Sequence, residues 1–204
     1  MRNAKVEEMA HERLRCFYSS FDSGQFTAVT TAFTVDDALQ FHAVVDAIFQ
    51  QAAVIPFRFP ALVEGEPELE KFLRQHSAGY EHTLTELGDA VQMELLISLE
   101  KAPVETAELS GTKYLQSRRE AQQRLENAAQ EAKAAAGELV QDWRVKNSLP
   151  PANSKPEGLC CYALIKRGAI ESFGQRMAKL GSRVKLSGPW PATEFMGDDL
   201  DEER

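Results

Sequence analysis

Cys160 and Cys161 stand side by side in the apolar run GLCCYALI (residues 158–165), and with Cys16 they make three cysteines in the chain. A reactive thiolate or a soft metal centre needs a base or further ligands at suitable spacing. The four histidines, His11, His42, His76 and His82, form no such set with the cysteines. Thiols in an apolar run serve as small core hydrophobes, and the odd count implies no disulfide framework. His42 and His76 fall on or near the apolar faces of expected helices, where a core histidine with its hydrogen bonds satisfied is a plainer reading than a catalytic base. Glu64, Glu66, Glu68 and Glu70 surround an expected helix start, where carboxylates complement the positive end of the helix dipole. No phosphate-cradling glycine loop, nucleophile elbow, zinc signature or kinase motif occurs. The expectation is therefore no catalytic residue, no metal and no cofactor. Arg58 and Arg118 are each a guanidinium among apolar neighbours and must find an acceptor if buried, as a buried ion pair or as an anion or partner site.

The whole chain supports that reading. At 204 residues and 43% hydrophobic it has the composition of a globular protein with one large domain or two small ones. A net charge of -8 argues against a nucleic-acid groove, which depends on clustered Lys and Arg. No apolar run has membrane-spanning length, and the start MRNAKVEEMAHERLR lacks the apolar core of a signal peptide. A cytoplasmic protein is expected, with neither nucleic acid nor membrane as a partner. The acidic end GDDLDEER (residues 197–204) reads as a solvated tail.

The elements that would position these residues are legible from periodicity. LRCFYSSF and QFTAVTTAF flank the turn composition Asp22-Ser23-Gly24 and read as a hairpin. Thr34 and Asp37 fit a capping box before a helix with Ala38, Phe41, Val45, Ile48 and Ala52 on one face. AAVIPFRFPALV follows as an extended segment. Pro56 and Pro60 deny it ladder donors, which places it at a sheet edge or a domain seam. A second helix begins near Pro67, carries Leu69, Leu73, His76, Tyr80, Leu84 and Leu87 inward, and ends at Gly88. Beyond it the order becomes strand (AVQMELLISL), long helix (about 111–137), strand (LVQDWRVKNSL), strand (GLCCYALIKR), shorter helix and closing strand (RVKLSGPW). This βαββαβ order predicts a ferredoxin-like antiparallel sheet with both helices on one face. The expected fold is α+β: an N-terminal α/β domain (1–88) and a modified ferredoxin-like C-terminal domain (89–204). The long helix carries a mostly alanine stripe, which packs on the sheet or, alternatively, against another chain in a coiled-coil-like contact.

SGPWPATEF (residues 187–195), preceded by a βαβ half, resembles the terminal TGPWPPYSF-type signature of the gas vesicle protein F/L family (GvpL/GvpF). VIPFRFPALVE (54–64) is similar to that family's LPVRFGTVF-type segment, and LSGTKYLQSRREAQ (109–122) to its GxxYLxxKRxx helix start. The sequence departs from the pattern at Ala192-Thr193-Glu194, Phe57 and Pro60, and its beginning lacks a clear first strand. The resemblance implies a gas vesicle accessory or assembly protein without catalysis, cytoplasmic and vesicle-associated. Its partners would be the small hydrophobic shell protein and other accessory proteins, during nucleation or growth. Candidate partner-binding residues are Phe57, Arg58, Phe59, Trp190 and Phe195. The alternatives are a small-ligand-binding or enzymatic ferredoxin-like domain, with polar groups converging around Arg118, His76 and Cys160, and a minor structural component of the vesicle wall.

Overall fold

The computed structural model describes residues 6–19, 34–98, 111–146 and 158–196. The second arm of the expected hairpin (25–33), the proline-rich loop at 150–157 and the acidic tail lie outside the described residues. The chain divides into two compact units, Met1–Gly88 with Met196–Arg204, and Asp89–Phe195.

In the first unit, LRCFYS does form a strand, and its partner among the described residues precedes it in sequence. β1 (Val6–His11) pairs antiparallel with β2 (Leu14–Ser19), with His11 opposite Leu14. The two-residue turn Glu12–Arg13 joins them, and Glu12 takes the positive φ of 51° that such tight hairpin turns demand. The segment expected to lack a first strand therefore contains one. It is polar, and cross-strand pairing rather than intrinsic propensity holds it, as in the Glu8–Arg15 contact at 2.7 Å.

α1 (Val35–Phe49) starts at the expected capping box, with Asp37 N–H donating to Thr34 Oγ1 and Thr34 N–H to the Asp37 carboxylate. α2 (Gly65–Leu87) buries Leu69, Leu73, Ser77, Tyr80 and Leu87. It is tied to the hairpin by Tyr18, whose hydroxyl donates to Glu66 Oε1 at 2.7 Å. That bond is the main reason the Tyr18 hydroxyl is pushed up to about 12. The segment between the helices, residues 53–63, is irregular and joins no sheet among the described residues, which corrects the expected sheet-edge placement. With Pro56 and Pro60 lacking donors, aromatic packing organises it instead: Phe57 meets Phe72 and Tyr80, each at 6.0 Å between ring centroids, and Phe59 meets Phe41 at 5.3 Å.

The second unit is a four-stranded antiparallel sheet ordered β4-β5-β3-β6. Its strands are β3 (Ala90–Ile97), β4 (Val140–Lys146), β5 (Leu159–Lys166) and β6 (Val184–Trp190), joined by α3 (Gly111–Ala136) and α4 (Ile170–Ala178). This is the βαββαβ arrangement expected from the order of elements. The register pairs apolar residues on one face: Val91 with Ile165, Met93 with Ala163, Leu95 with Cys161 and Ile97 with Leu159. All of these are buried. Leu125, Ala129, Ala132 and Ala136 of α3, with Phe173 and Met177 of α4, are buried too and complete the core. Each large side chain removed from water there contributes about 1.5–3 kcal/mol.

Arg176 of α4 closes the C-terminal end of α3. Its guanidinium donates to the Ala136 carbonyl at 2.7 Å and to Glu138 at 2.6 Å. The long helix ends in a satisfied carbonyl rather than an orphan one.

Candidate functional site

Strand alternation sends Gln92, Glu94 and Leu96 of β3 to the sheet face opposite the helices, together with Cys160, Tyr162 and Leu164 of β5. Arg144 lies opposite Tyr162 and Lys146 opposite Cys160, so β4 adds two cations to that face. From β6 come Lys185 opposite Leu96, Ser187 opposite Glu94, and Trp190 opposite Gln92. An apolar core face and a polar, aromatic and basic second face thus share one sheet.

The closing strand runs through Gly188 and Pro189 to Trp190, although a glycine–proline pair commonly ends regular pairing. One extra residue is accommodated between the Ser187–Glu94 and Trp190–Gln92 pairs, and pairing resumes at Trp190. Glycine is required at this bulge: Gly188 has φ +112°, and a Cβ there would sit 2.9 Å from the Gln92 carbonyl oxygen. The Trp190 indole N–H donates to Ser187 Oγ at 3.4 Å, and the residue is 36% exposed.

Beyond Trp190 the chain turns onto the second face. A 3-10 turn, Thr193–Phe195, carries the Glu194 amide to Gln92, whose Oε1 accepts it at 2.9 Å. Gln92 is only 4% exposed, so this bond satisfies a buried amide oxygen that would otherwise be costly. The Glu194 carboxylate meets Lys146 Nζ at 2.9 Å, and the Arg144 guanidinium lies 5.3 Å from the centre of the Phe195 ring. Lys146 also lies 5.8 Å from the Tyr162 ring. The short strap 191–195 therefore runs from edge strand β6, past β3, to edge strand β4.

Burial holds the thiols on this sheet in their neutral form. Cys160 and Cys161 point to opposite faces; burial pushes the Cys161 thiol up to about 12 and raises Cys160 as well, beside Glu94 at 3.5 Å. Among the described residues no group of three or more His, Cys, Asp or Glu could hold a metal ion. No described helix is long and apolar enough to cross a membrane.

The residues singled out in the sequence are distributed as follows. Trp190 and Phe195 both lie on the second face, at its β6 and β4 edges, while Phe57 and Phe59 are half-buried in the aromatic cluster of the first unit. Arg58 is exposed, so the buried ion pair expected of it does not form; flanking phenylalanines turn inward and leave the guanidinium in water. Arg118 is half-buried on α3. Because α3 lies against the apolar face and Cys160 is on the other, these two do not converge as a ligand site would need. His76 is half-buried in the first unit between Phe72 (4.6 Å) and Tyr80 (6.1 Å). His42 is exposed, 3.5 Å from Asp46. Arg144, Lys146 and Gln92 do not stand out in the sequence, since their only signal is alternation along strands whose register the sequence does not state.

Residues 1–197 match the family model described as "Gas vesicle synthesis protein GvpL/GvpF". This chain belongs to the GvpL/GvpF family. Two crystal structures show the same fold at low identity: the gas vesicle protein GvpF from Anabaena sp. PCC7120 (TM-score 0.68, 10% identity) and GvpF from Microcystis aeruginosa (TM-score 0.67, 11% identity). Each comparison covers 97% of this chain and 90% of the other. No curated protein matches the chain significantly. For the GvpL/GvpF family the SGPWPATEF signature now has a structural content in this member: a bulge, a resumed strand and a strap over the second face.

Proposed function

We propose that this GvpL/GvpF protein is an accessory, assembly-type factor that binds the small hydrophobic vesicle shell protein, and other accessory proteins, during vesicle nucleation or growth. The observation that carries the reading is the family match across residues 1–197. A shell protein that builds a gas-facing wall must hide apolar β surface before assembly, because free strands of that kind aggregate. An acidic escort of net charge -8 keeps such a complex in solution.

The first unit offers apolar surface for the role. Along one row of α1, Val35 is 77% exposed and Leu39 60%, and Ala43 and Ala47 continue the row as exposed residues. Leu62 and Val63 are exposed as well. Apolar residues repeated at this spacing suit helix-face recognition. Of the residues chosen from the sequence, Arg58 and Trp190 are exposed, while Phe57, Phe59 and Phe195 are half-buried. In this reading the two units are separate domains, 1–88 and 89–204, and the protein works in the cytoplasm and at the vesicle.

Co-expression with the hydrophobic shell protein followed by affinity capture tests the proposal. Stoichiometric co-purification with the wild-type chain is expected; a wild-type chain that captures none, while itself folded, overturns it.

A further inference from the structure

We propose that the second face of the sheet is a recognition site for a short peptide carrying a carboxylate followed by an aromatic ring, held closed in this chain by its own Glu194-Phe195. The inference does not depend on the shell-protein role. It rests on how the strap 191–195 is seated. The Phe195 amide donates to the Ala192 carbonyl at 3.0 Å within the strap, and three further contacts go to side chains projecting from the sheet: Gln92 of β3 to the Glu194 amide, Lys146 of β4 to its carboxylate, and Arg144 of β4 to the Phe195 ring. Backbone amide, charge and ring are each read by a different residue, the division of labour of a peptide-binding groove.

The receiving side is complementary to that ligand in a chain that is otherwise acidic. Arg144, Lys146 and Lys185 place cations on the face, and Tyr162 and Trp190 supply aromatic surface beside them. A guanidinium over a ring and an ammonium on a carboxylate are attractive but modest when partly exposed. Lys146 and Glu194 side chains are 56% and 32% exposed, so salt reaches and screens their pairing. The tether gives the strap a high effective concentration, which adds to the buried Ala192 and the Gln92 bond in keeping the site closed. A partner segment of the same chemistry gains access when the strap is lifted.

The test uses the full-length chain with Glu194→Lys and Phe195→Ala combined, which empties the charge and ring positions of the site, and a fluorescent Pro-Ala-Thr-Glu-Phe peptide followed by anisotropy. Saturable binding at least tenfold tighter than to wild type is expected. Adding Lys146→Glu should abolish it, and a peptide with lysine in place of glutamate should then bind. A folded, emptied variant that ignores the peptide, or binds it no better than wild type does, overturns the proposal. Should that variant not fold, hydrogen exchange on the wild type decides: the Glu194 amide is expected to exchange faster than the β3 amides and to accelerate with salt. Exchange at the β3 rate, indifferent to salt, overturns the inference.

Discussion

Gly188 answers for a single backbone position on which the second face depends. Its φ of +112° and the 2.9 Å that would separate a Cβ from the Gln92 carbonyl oxygen leave no room for a side chain. Gly188→Ala is expected to cost about 1–3 kcal/mol, read from the urea midpoint, because strained backbone and a close contact act together. Arg176 and Glu138 make the corresponding electrostatic case. The guanidinium hydrogen bond, then Glu138's own backbone amide, hold its carboxyl below the ordinary 4.5. A folded-state value below the unfolded one contributes stability that is complete above 4.5 and disappears as pH falls through the folded value. Glu138→Gln should therefore be less stable than wild type at neutral pH, with the gap closing as pH falls below 4.5 through the folded value, as urea titrations at neutral and acid pH would show. Arg176→Ala should keep a residual deficit there, since its bond to the Ala136 carbonyl does not titrate.

At the scale of elements, α3 shows why a helix can be mostly alanine on its inner stripe. Ala129, Ala132 and Ala136 are buried against the sheet and allow a close approach that larger residues would prevent. Ala132→Leu is expected to destabilise by about 1–3 kcal/mol through overpacking, measured by chemical denaturation. Of the expected stripe, Leu125 and Ala132 are buried, whereas Ala121, Ala128 and Ala135 are half-buried, so the buried line lies one residue over, through Ala129 and Ala136. The hairpin is the opposite lesson. Glu12–Arg13 contains neither glycine nor asparagine, so nothing local announces the turn, and after Val6 VEEMAH lacks the β-branched and aromatic residues that mark strands. Its strand exists because Leu14–Ser19 offers a partner. The bulge in β6 hid in the same way: Gly188-Pro189 looks like a stop until the partner strand shows that Trp190 pairs again.

For the whole molecule, the expected outcome concerns binding rather than turnover. If the exposed row on α1 meets the shell protein, Val35→Asp with Leu39→Asp should reduce co-purification at least tenfold without lowering the thermal midpoint. Both side chains are exposed, and substitutions there change stability little. Trp190→Ala serves as the comparison in the second unit. Capture that survives the α1 pair but fails with Trp190→Ala would move the contact to the sheet face.

Periodicity and capping chemistry were enough to read most elements, because a helix stripe, a Thr–Asp cap or an alternating strand is written in neighbouring residues. The βαββαβ order then carried the sheet topology, since crossover handedness leaves few alternatives. Family membership was legible in the same way, from a run of glycine, prolines and tryptophan with a structural role of its own. Only the tertiary structure decided what lies opposite what. Cross-strand register placed Arg144 and Lys146 beside the strap, drew the buried Gln92 amide to Glu194, and left Arg58 in water while Phe57 and Phe59 packed inward. These contacts join residues far apart in the chain. Their energies depend on distance and burial, which no local pattern encodes.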